Sequence, residues 1–419
     1  MGALPLRAAA NSLKLTFLTL FELRNYIAPS FTTIKRWAQK VGYYKLTRPK
    51  AKATDWMVII DASIQMGEQK CVLVLGCREI DLPKNRAPTL QDFEILALRI
   101  VSSMKANIIT QILNEVAESV GKIVCVCSDR GSDMHRGIKD FQATNPEARH
   151  ICDTAHRVSN LLECILEKNE RWKKFREEVT LSRRRMQNSL VACALPPSPR
   201  TKARYMNVGS LIEWAAGMLL LLERGAWNNK IDINELKKHL GWLQEYREDI
   251  IYWNKLISIG AEARQVVRLE GIHMDIVEHF EKAISSIPMG LLELKFADQL
   301  ALFLMEQSKR VKPGERFIGS TEVLESLFGK LKAMEQEQTS FGFTSLVLAT
   351  MACVGPIDKK TVRDAIRIVK LSDIEDWSQK ELGKSIQSQR RSIRILIKSL
   401  KKKMTPKVSG ILEEEAVAF

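Results

Sequence analysis

Asp61 follows the apolar run Trp56-Met57-Val58-Ile59-Ile60, and Asp129 stands just past a second run, Ile123-Val124-Cys125-Val126-Cys127. Both runs have the length and β-branched content of buried strands. A carboxylate on a strand, or where a strand leaves a sheet, is held rigidly, as a metal site requires. A single such Asp reads equally well as a turn or cap residue; two of them on neighbouring strands could share divalent cations. A third acid lies far along the chain, in Gly319-Ser320-Thr321-Glu322-Val323-Leu324-Glu325-Ser326-Leu327-Phe328-Gly329-Lys330-Leu331-Lys332. This segment reads as a helix capped by Ser320 or Thr321, with Leu324, Leu327, Phe328 and Leu331 as its apolar stripe. Glu325 borders that stripe, and Lys332 lies on the same face two helical turns on. Such a pair suits a metal ligand beside a phosphate contact, with Lys330 a second cation. Glu322 competes with Glu325, although the helix dipole alone explains an acid in the first turn. Asp133 competes with Asp129, at a position where a helix N-cap is expected.

The elements that must position these acids can be read around them. Trp56–Asp61 and Cys71–Gly76 form two short strands with Gly67 between, a natural hairpin. Leu90–Val120 carries helical periodicity, followed by the Ile123–Cys127 strand, a helix over Ser132–Phe141 and a short strand over Ala148–Cys152. This pattern predicts an α/β sheet rather than a bundle. From Thr154 to about Ile318 helical periodicity dominates and no strand is expected, so a large all-helical segment interrupts the α/β unit. The chain of 419 residues, 45% of them hydrophobic, has room for two or three domains with real cores. Its eight cysteines form no CxxC pair or zinc spacing, which favours a reducing, cytoplasmic compartment. The run Leu211–Leu222 is too short to span a bilayer and reads as a core helix.

Lys and Arg number 64 against 49 Asp and Glu, a formal charge of +15, which favours a polyanionic partner. Near the N-terminus, a helix over Ser12 to about Tyr26, a break at Pro29 and a helix over Thr32–Val41 fit a helix-turn-helix. Ser30 would be the second helix's N-cap and Gly42 its stop. Thr32, Thr33, Lys35, Arg36 and Lys40 would then meet phosphates and base edges, with Ile34 and Trp37 packed inward. A basic linker, Lys45–Lys52, follows. The C-terminal tail is helical and basic, densest at Arg390, Arg391, Arg394, Lys398 and Lys401–Lys403.

In combination, these parts resemble the RNase H-like core of DDE transposases. Asp55-Trp56 through Asp61-Ala62-Ser63-Ile64-Gln65-Met66-Gly67 to Lys70-Cys71 is similar to the first catalytic block of bacterial insertion-sequence transposases. Cys127-Ser128-Asp129-Arg130-Gly131-Ser132-Asp133 is similar to the second, and the Glu325 segment to the third. Cys152-Asp153-Thr154-Ala155-His156 resembles the Cys/Asp-x-x-His element of hAT-like transposases, which also carry a large helical insertion before the glutamate. Ile318 and Thr321 stand where some relatives have Tyr and Arg. The resemblance implies a helix-turn-helix over 1–48, an RNase H-like mixed sheet split between 54–153 and 319–355, an all-α insertion over 154–318 and a basic helical tail over 356–419.

It further implies two Mg²⁺ ions, with Mn²⁺ as a substitute, held roughly 3.5–4 Å apart by Asp61, Asp129 and Glu325. One would activate water or a 3′-hydroxyl while the other stabilises the leaving oxygen. Asp153 and His156 would sit behind these ligands or against DNA, or simply close a helix N-terminus. The implied activity is cleavage at transposon ends and strand transfer into double-stranded target DNA, by a homodimer or higher oligomer in the bacterial cytoplasm at the nucleoid. A nuclease of the same fold without strand transfer, and a non-catalytic DNA-binding descendant, remain alternatives. In hAT-like relatives a tryptophan of the insertion stacks on an extruded base. Trp214, Trp227, Trp242 and Trp253 are the candidates here, each equally readable as core.

Overall fold

Both apolar runs are strands, and each is longer than its apolar part. The computed structural model describes residues 6–21, 28–62, 69–198, 205, 208–224, 233–336, 343–383 and 390–400. Strands β1 (Ala53–Ala62), β2 (Lys70–Arg78), β3 (Glu94–Val101), β4 (Gly121–Ser128) and β5 (Arg149–Cys152) form one sheet in the order β3-β2-β1-β4-β5. β2 runs antiparallel to both of its neighbours, β1, as the hairpin predicts, and β3, while β4 and β5 run parallel to β1. Gly67 lies outside the described residues. This mixed five-stranded sheet with helices on both faces is the RNase H-like arrangement, interrupted by helices.

The long helix expected over Leu90–Val120 is corrected: Glu94–Val101 is β3, and only Ala106–Val120 is helical (α3). The cause is a bulge. Val74 pairs with Ala97 and Leu75 with Ile95, so Leu96 is the extra residue and the alternation changes phase there. Apolar residues at Phe93, Leu96, Ala97 and Ile100 then mimic a helical stripe.

Two cores flank the sheet. Trp56, Val58 and Ile60 pack with Ile109, Ile112, Leu113 and Val116 of α3 and with Met134, Ile138 and Phe141 of the next helix, Ser132–Thr144 (α4). Met57, Ile59, Cys125, Cys127 and Ile151 face the opposite side and join the core of the helical segment. That segment has helices at Thr154–Leu166 (α5), Glu170–Met186 (α6), Val208–Arg224 (α7), Ile233–Leu240 (α8), Arg247–Glu270 (α9), Ile276–Ile284 (α10) and Leu291–Ser308 (α11). A single bridge, Ile272 to Phe317, is its extended pairing among the described residues. The chain then returns to the sheet as Glu322–Gln336 (α12) and Leu346–Met351 (α13).

Trp172 and Trp253 are fully buried and meet edge to face, with Phe175, Trp242 and Tyr246 completing the cluster. Trp253, at 0% exposure, is therefore core and excluded from base stacking as folded. Trp214 is partly buried and donates to the Ala194 carbonyl at 3.0 Å; Trp227 lies outside the described residues.

At the N-terminus, α1 spans Leu6–Thr19 and α2 spans Phe31–Thr47, with Ser30 accepting from Thr33 N as the expected cap. Two expectations fail here. Gly42 does not end α2, and Trp37 is 42% exposed rather than packed inward. A Cβ on Gly42 would fall 1.7 Å from the Leu348 carbonyl oxygen, so the glycine is there to let α2 touch the α13 backbone. Gln39 donates to Ser345 O and Oγ at 3.1 and 2.8 Å. Lys45, assigned by sequence to a linker, is buried inside α2, and its ammonium donates to Ala352, Val354 and Gly355 carbonyls just past α13. Burial, then Arg48, lowers its pKa to about 8. Gly42→Ala should accordingly cost about 1–3 kcal/mol or more by overpacking, read as a lower denaturation midpoint.

The C-terminal region is helical at Lys359–Ile368 (α14) and Leu371–Leu382 (α15), both packed on α2, and again over 390–400. Lys401–Lys403 lie outside the described residues. No helix among the described residues is long and apolar enough to cross a membrane, and all eight cysteines are free.

Candidate active site

Strand parity aims the two aspartates. Asp61 is two residues past Ile59, and Asp129 two past Cys127; Ile59 and Cys127 are direct partners in the parallel β1–β4 pair. Both acids therefore leave the same ends of adjacent strands on the face of Met57, Ile59 and Cys127, away from α3 and α4. Asp61 Oδ1 accepts from the Ala62 amide at 2.7 Å, and Asp129 Oδ1 from the Gly131 amide at 3.1 Å. Among the described residues no donor reaches Oδ2 of either. Asp133 is exposed in the first turn of α4, whose N-cap position is Gly131.

Burial pushes the Asp61 carboxyl up to about 7, with the Asp129 charge adding to the rise and His156 opposing it. Ionising Asp61 here places a second negative charge beside Asp129 in a poorly solvated setting.

Asp153 leaves β5 on the same face and is buried. Its amide donates to the Ser128 carbonyl at 2.9 Å, which seats it beside the end of β4. Oδ1 caps α5, accepting from Ala155 N at 2.6 Å and His156 N at 3.3 Å. Oδ2 accepts from Thr321 N at 3.0 Å and from the Thr321 hydroxyl. Asp153 thus ties the end of the sheet to the start of the helix bearing Glu325, across 168 residues of chain. Of the expected caps, Ser320 Oγ accepts from Glu322 N at 3.2 Å, while Thr321 serves Asp153.

Glu325 is partly buried on α12, with His156 Nε2 3.9 Å from its Oε1. Burial raises its pKa, Asp153 adds to this and His156 opposes it. His156 is therefore the common neighbour of Asp61 and Glu325. The ligand atoms of Asp61, Asp129 and Glu325 are not drawn into a cluster within 4.8 Å; among the described residues that closeness belongs to Glu270, His273 and His279 elsewhere. Glu322 turns toward α9, 3.6 Å from Arg268 Nε. Lys332 keeps its place two turns beyond Glu325. Lys330 sits about 140° around the helix from Glu325, donates to Ser326 Oγ at 3.2 Å and lines a separate cavity of about 300 Å³ with Arg268, Arg316 and Glu322. Neither aspartate borders that cavity.

Arg264 escaped sequence reasoning. It projects from α9 toward Glu322 and Glu325, opposing the rise in both acids' pKa, and its buried Nε has no hydrogen-bond partner among the described residues. Only a signal linking α9 to α12 could have revealed it, and spacing within one chain carries none. Along α2, Thr32 and Arg36 are exposed, Thr33 and Lys35 are partly exposed, and the Lys40 ammonium donates to Ile366 O at 3.2 Å.

No family model and no curated protein sequence matches the chain. Among solved structures it is similar to the Drosophila P element transposase in its strand transfer complex, at 12% identity over 87% of this chain and 94% of that chain, with a TM-score of 0.35. A likeness at that level leaves the assignment of function to the residues themselves.

Proposed function

We propose that this chain is a DDE-type DNA transposase, cutting phosphodiester bonds at transposon ends and joining the freed 3′-hydroxyl to target DNA. The observation that carries the reading is the pair Asp61 and Asp129, leaving adjacent parallel strands on one face, each with a carboxylate oxygen that no donor reaches among the described residues. Hard, all-oxygen donors of this kind suit Mg²⁺ or Mn²⁺ far better than softer metals. The raised Asp61 pKa fits the same role, since a cation would relieve the repulsion between the acids. Asp61, Asp129 and Glu325 would hold the metal, which supplies Lewis-acid polarisation of the scissile phosphate when bound. His156 orients Glu325. Arg264, with its unsatisfied donor beside that acid, would bind a phosphate oxygen, and Lys332 would hold the strand further along α12.

In this reading α2 meets the DNA backbone through Thr32, Thr33, Lys35 and Arg36, while Lys40 is partly committed to α14. The chain's charge of +15 favours the encounter. Arg36→Ala should weaken duplex binding at every sequence and lower the slope of log affinity against log salt by roughly 0.9. Fluorescence anisotropy across a salt series measures this, and an unchanged slope would remove Arg36 from the interface. Joining two ends calls for two copies of the chain.

The decisive experiment supplies the protein with Mg²⁺ and duplexes carrying the element's own terminal sequence, intact or pre-cleaved. End cleavage plus joining of the pre-cleaved strand supports a transposase. Cleavage without joining indicates a nuclease of the same fold, and binding without either indicates a non-catalytic DNA-binding protein.

A further inference from the structure

A second cluster of metal-binding groups lies outside the carboxylate site, where α9 turns into α10. Glu270 ends α9, Gly271 at φ +72° reverses the chain, His273 follows in the turn and His279 lies on α10. One carboxylate oxygen, Glu270 Oε2, is approached by both rings: His273 Nε2 at 3.2 Å and His279 Nδ1 in a close contact. The three ligand atoms all lie within 4.8 Å of one another.

We infer that Glu270, His273 and His279 form a transition-metal site, of the class that takes Zn²⁺, independent of the Mg²⁺ site. Two imidazoles and a carboxylate are borderline donors, which favour Zn²⁺ over Mg²⁺. Metal–ligand distances of about 2.0–2.1 Å place tetrahedral ligands roughly 3.3 Å apart; the Glu270–His273 separation of 3.2 Å already matches this, and His279 would draw back from the carboxylate to admit the ion. Both rings now point a nitrogen at the carboxylate. On ligation, the ring nitrogen facing the carboxylate must carry a lone pair, so any ring proton sits on the other nitrogen. For His279 that nitrogen has no partner among the described residues. For His273 a proton there displaces a long contact, 3.3 Å, from the Asp275 amide. The cluster is half open to solvent, leaving a position for water.

The ion would pin more than a turn. Ile272, inside the cluster's loop, exchanges both backbone hydrogen bonds with Phe317, at 2.7 and 2.9 Å. Phe317 lies four residues before Thr321, which Asp153 grips at the start of α12. A metal at Glu270 would thus stiffen the segment leading into the Glu325 helix.

Isothermal titration of the full chain, freed of any polyhistidine tag and of metal, tests this with Zn²⁺ in millimolar Mg²⁺. One Zn²⁺ per chain should bind at micromolar Kd or tighter and raise Tm by a few degrees. His273→Ala and His279→Ala should each weaken binding by about a hundredfold while keeping the circular dichroism of the parent. Asp61→Asn combined with Asp129→Asn should leave Zn²⁺ binding intact. With Co²⁺ as probe, the visible spectrum should lack thiolate charge-transfer bands. The inference is overturned if no Zn²⁺ binds, if binding survives loss of both histidines, or if it disappears with the two aspartates.

Discussion

Asp61→Asn is expected to lower Mg²⁺-dependent DNA cleavage by about 10³-fold or more, the scale of losing one essential electrostatic group. The same change should raise the Tm of the metal-free protein at pH 8. The sign follows from the Asp61 pKa, pushed up to about 7 by burial and then by Asp129, against an ordinary value near 4. A carboxyl raised on folding favours the fold when protonated. Its contribution is complete below the ordinary value and is lost as pH rises through about 7. Above that, wild type carries a repelling pair that the asparagine variant lacks. Differential scanning calorimetry should show the curves converging near pH 4 and separating toward pH 8 by on the order of 2–4 °C, the effect of about 1 kcal/mol. Mg²⁺ should close the gap by stabilising wild type alone. Asp129→Asn relieves the same repulsion and should behave alike. Wild-type cleavage by either variant would remove that residue from the site.

Asp153→Ala should damage both stability and activity, through geometry rather than metal binding. All four donors that converge on Asp153 would lose their acceptor in a buried setting. A lost N-cap costs about 1 kcal/mol, and stranded buried donors about 1–3 kcal/mol more, so a loss near 3 kcal/mol is expected. Asp153→Asn separates the roles. Its amide oxygen can still cap α5, but its NH₂ cannot accept from Thr321. That variant should keep most of its Tm while cleavage falls by roughly 10–100-fold, with Thr321→Val tracking it. Full activity in Asp153→Asn would show that the tie to Thr321 does not position Glu325.

Asp61 and Asp129 were legible as strand-borne acids because burial on both faces writes an unbroken apolar run before each. The same runs hide the face each acid takes: Met57 and Val58 are equally apolar, so only the helices packed above and below distinguish odd from even positions. The Glu94–Val101 strand was illegible because its bulge at Leu96 breaks the alternation that marks a strand. Lys45 read as linker charge because three carbonyls past α13 are invisible at a separation of about 310 residues.

The sequence by itself marked Asp61 and Asp129 as acids at apolar strands, the β1–β2 hairpin, the β4, α4 and β5 order, the helical run after β5 and the Ser30 cap, since each depends on neighbours within a few residues. Tertiary structure alone decided that Asp153 serves Thr321, that Arg264 faces Glu325, that Gly42 makes room for α13 and that Glu270, His273 and His279 converge. The first three join residues far apart in sequence, and the last depends on the direction of a turn. Closing such a loop leaves no local pattern, because its entropy cost is recovered by contacts at the far end rather than by neighbouring residues.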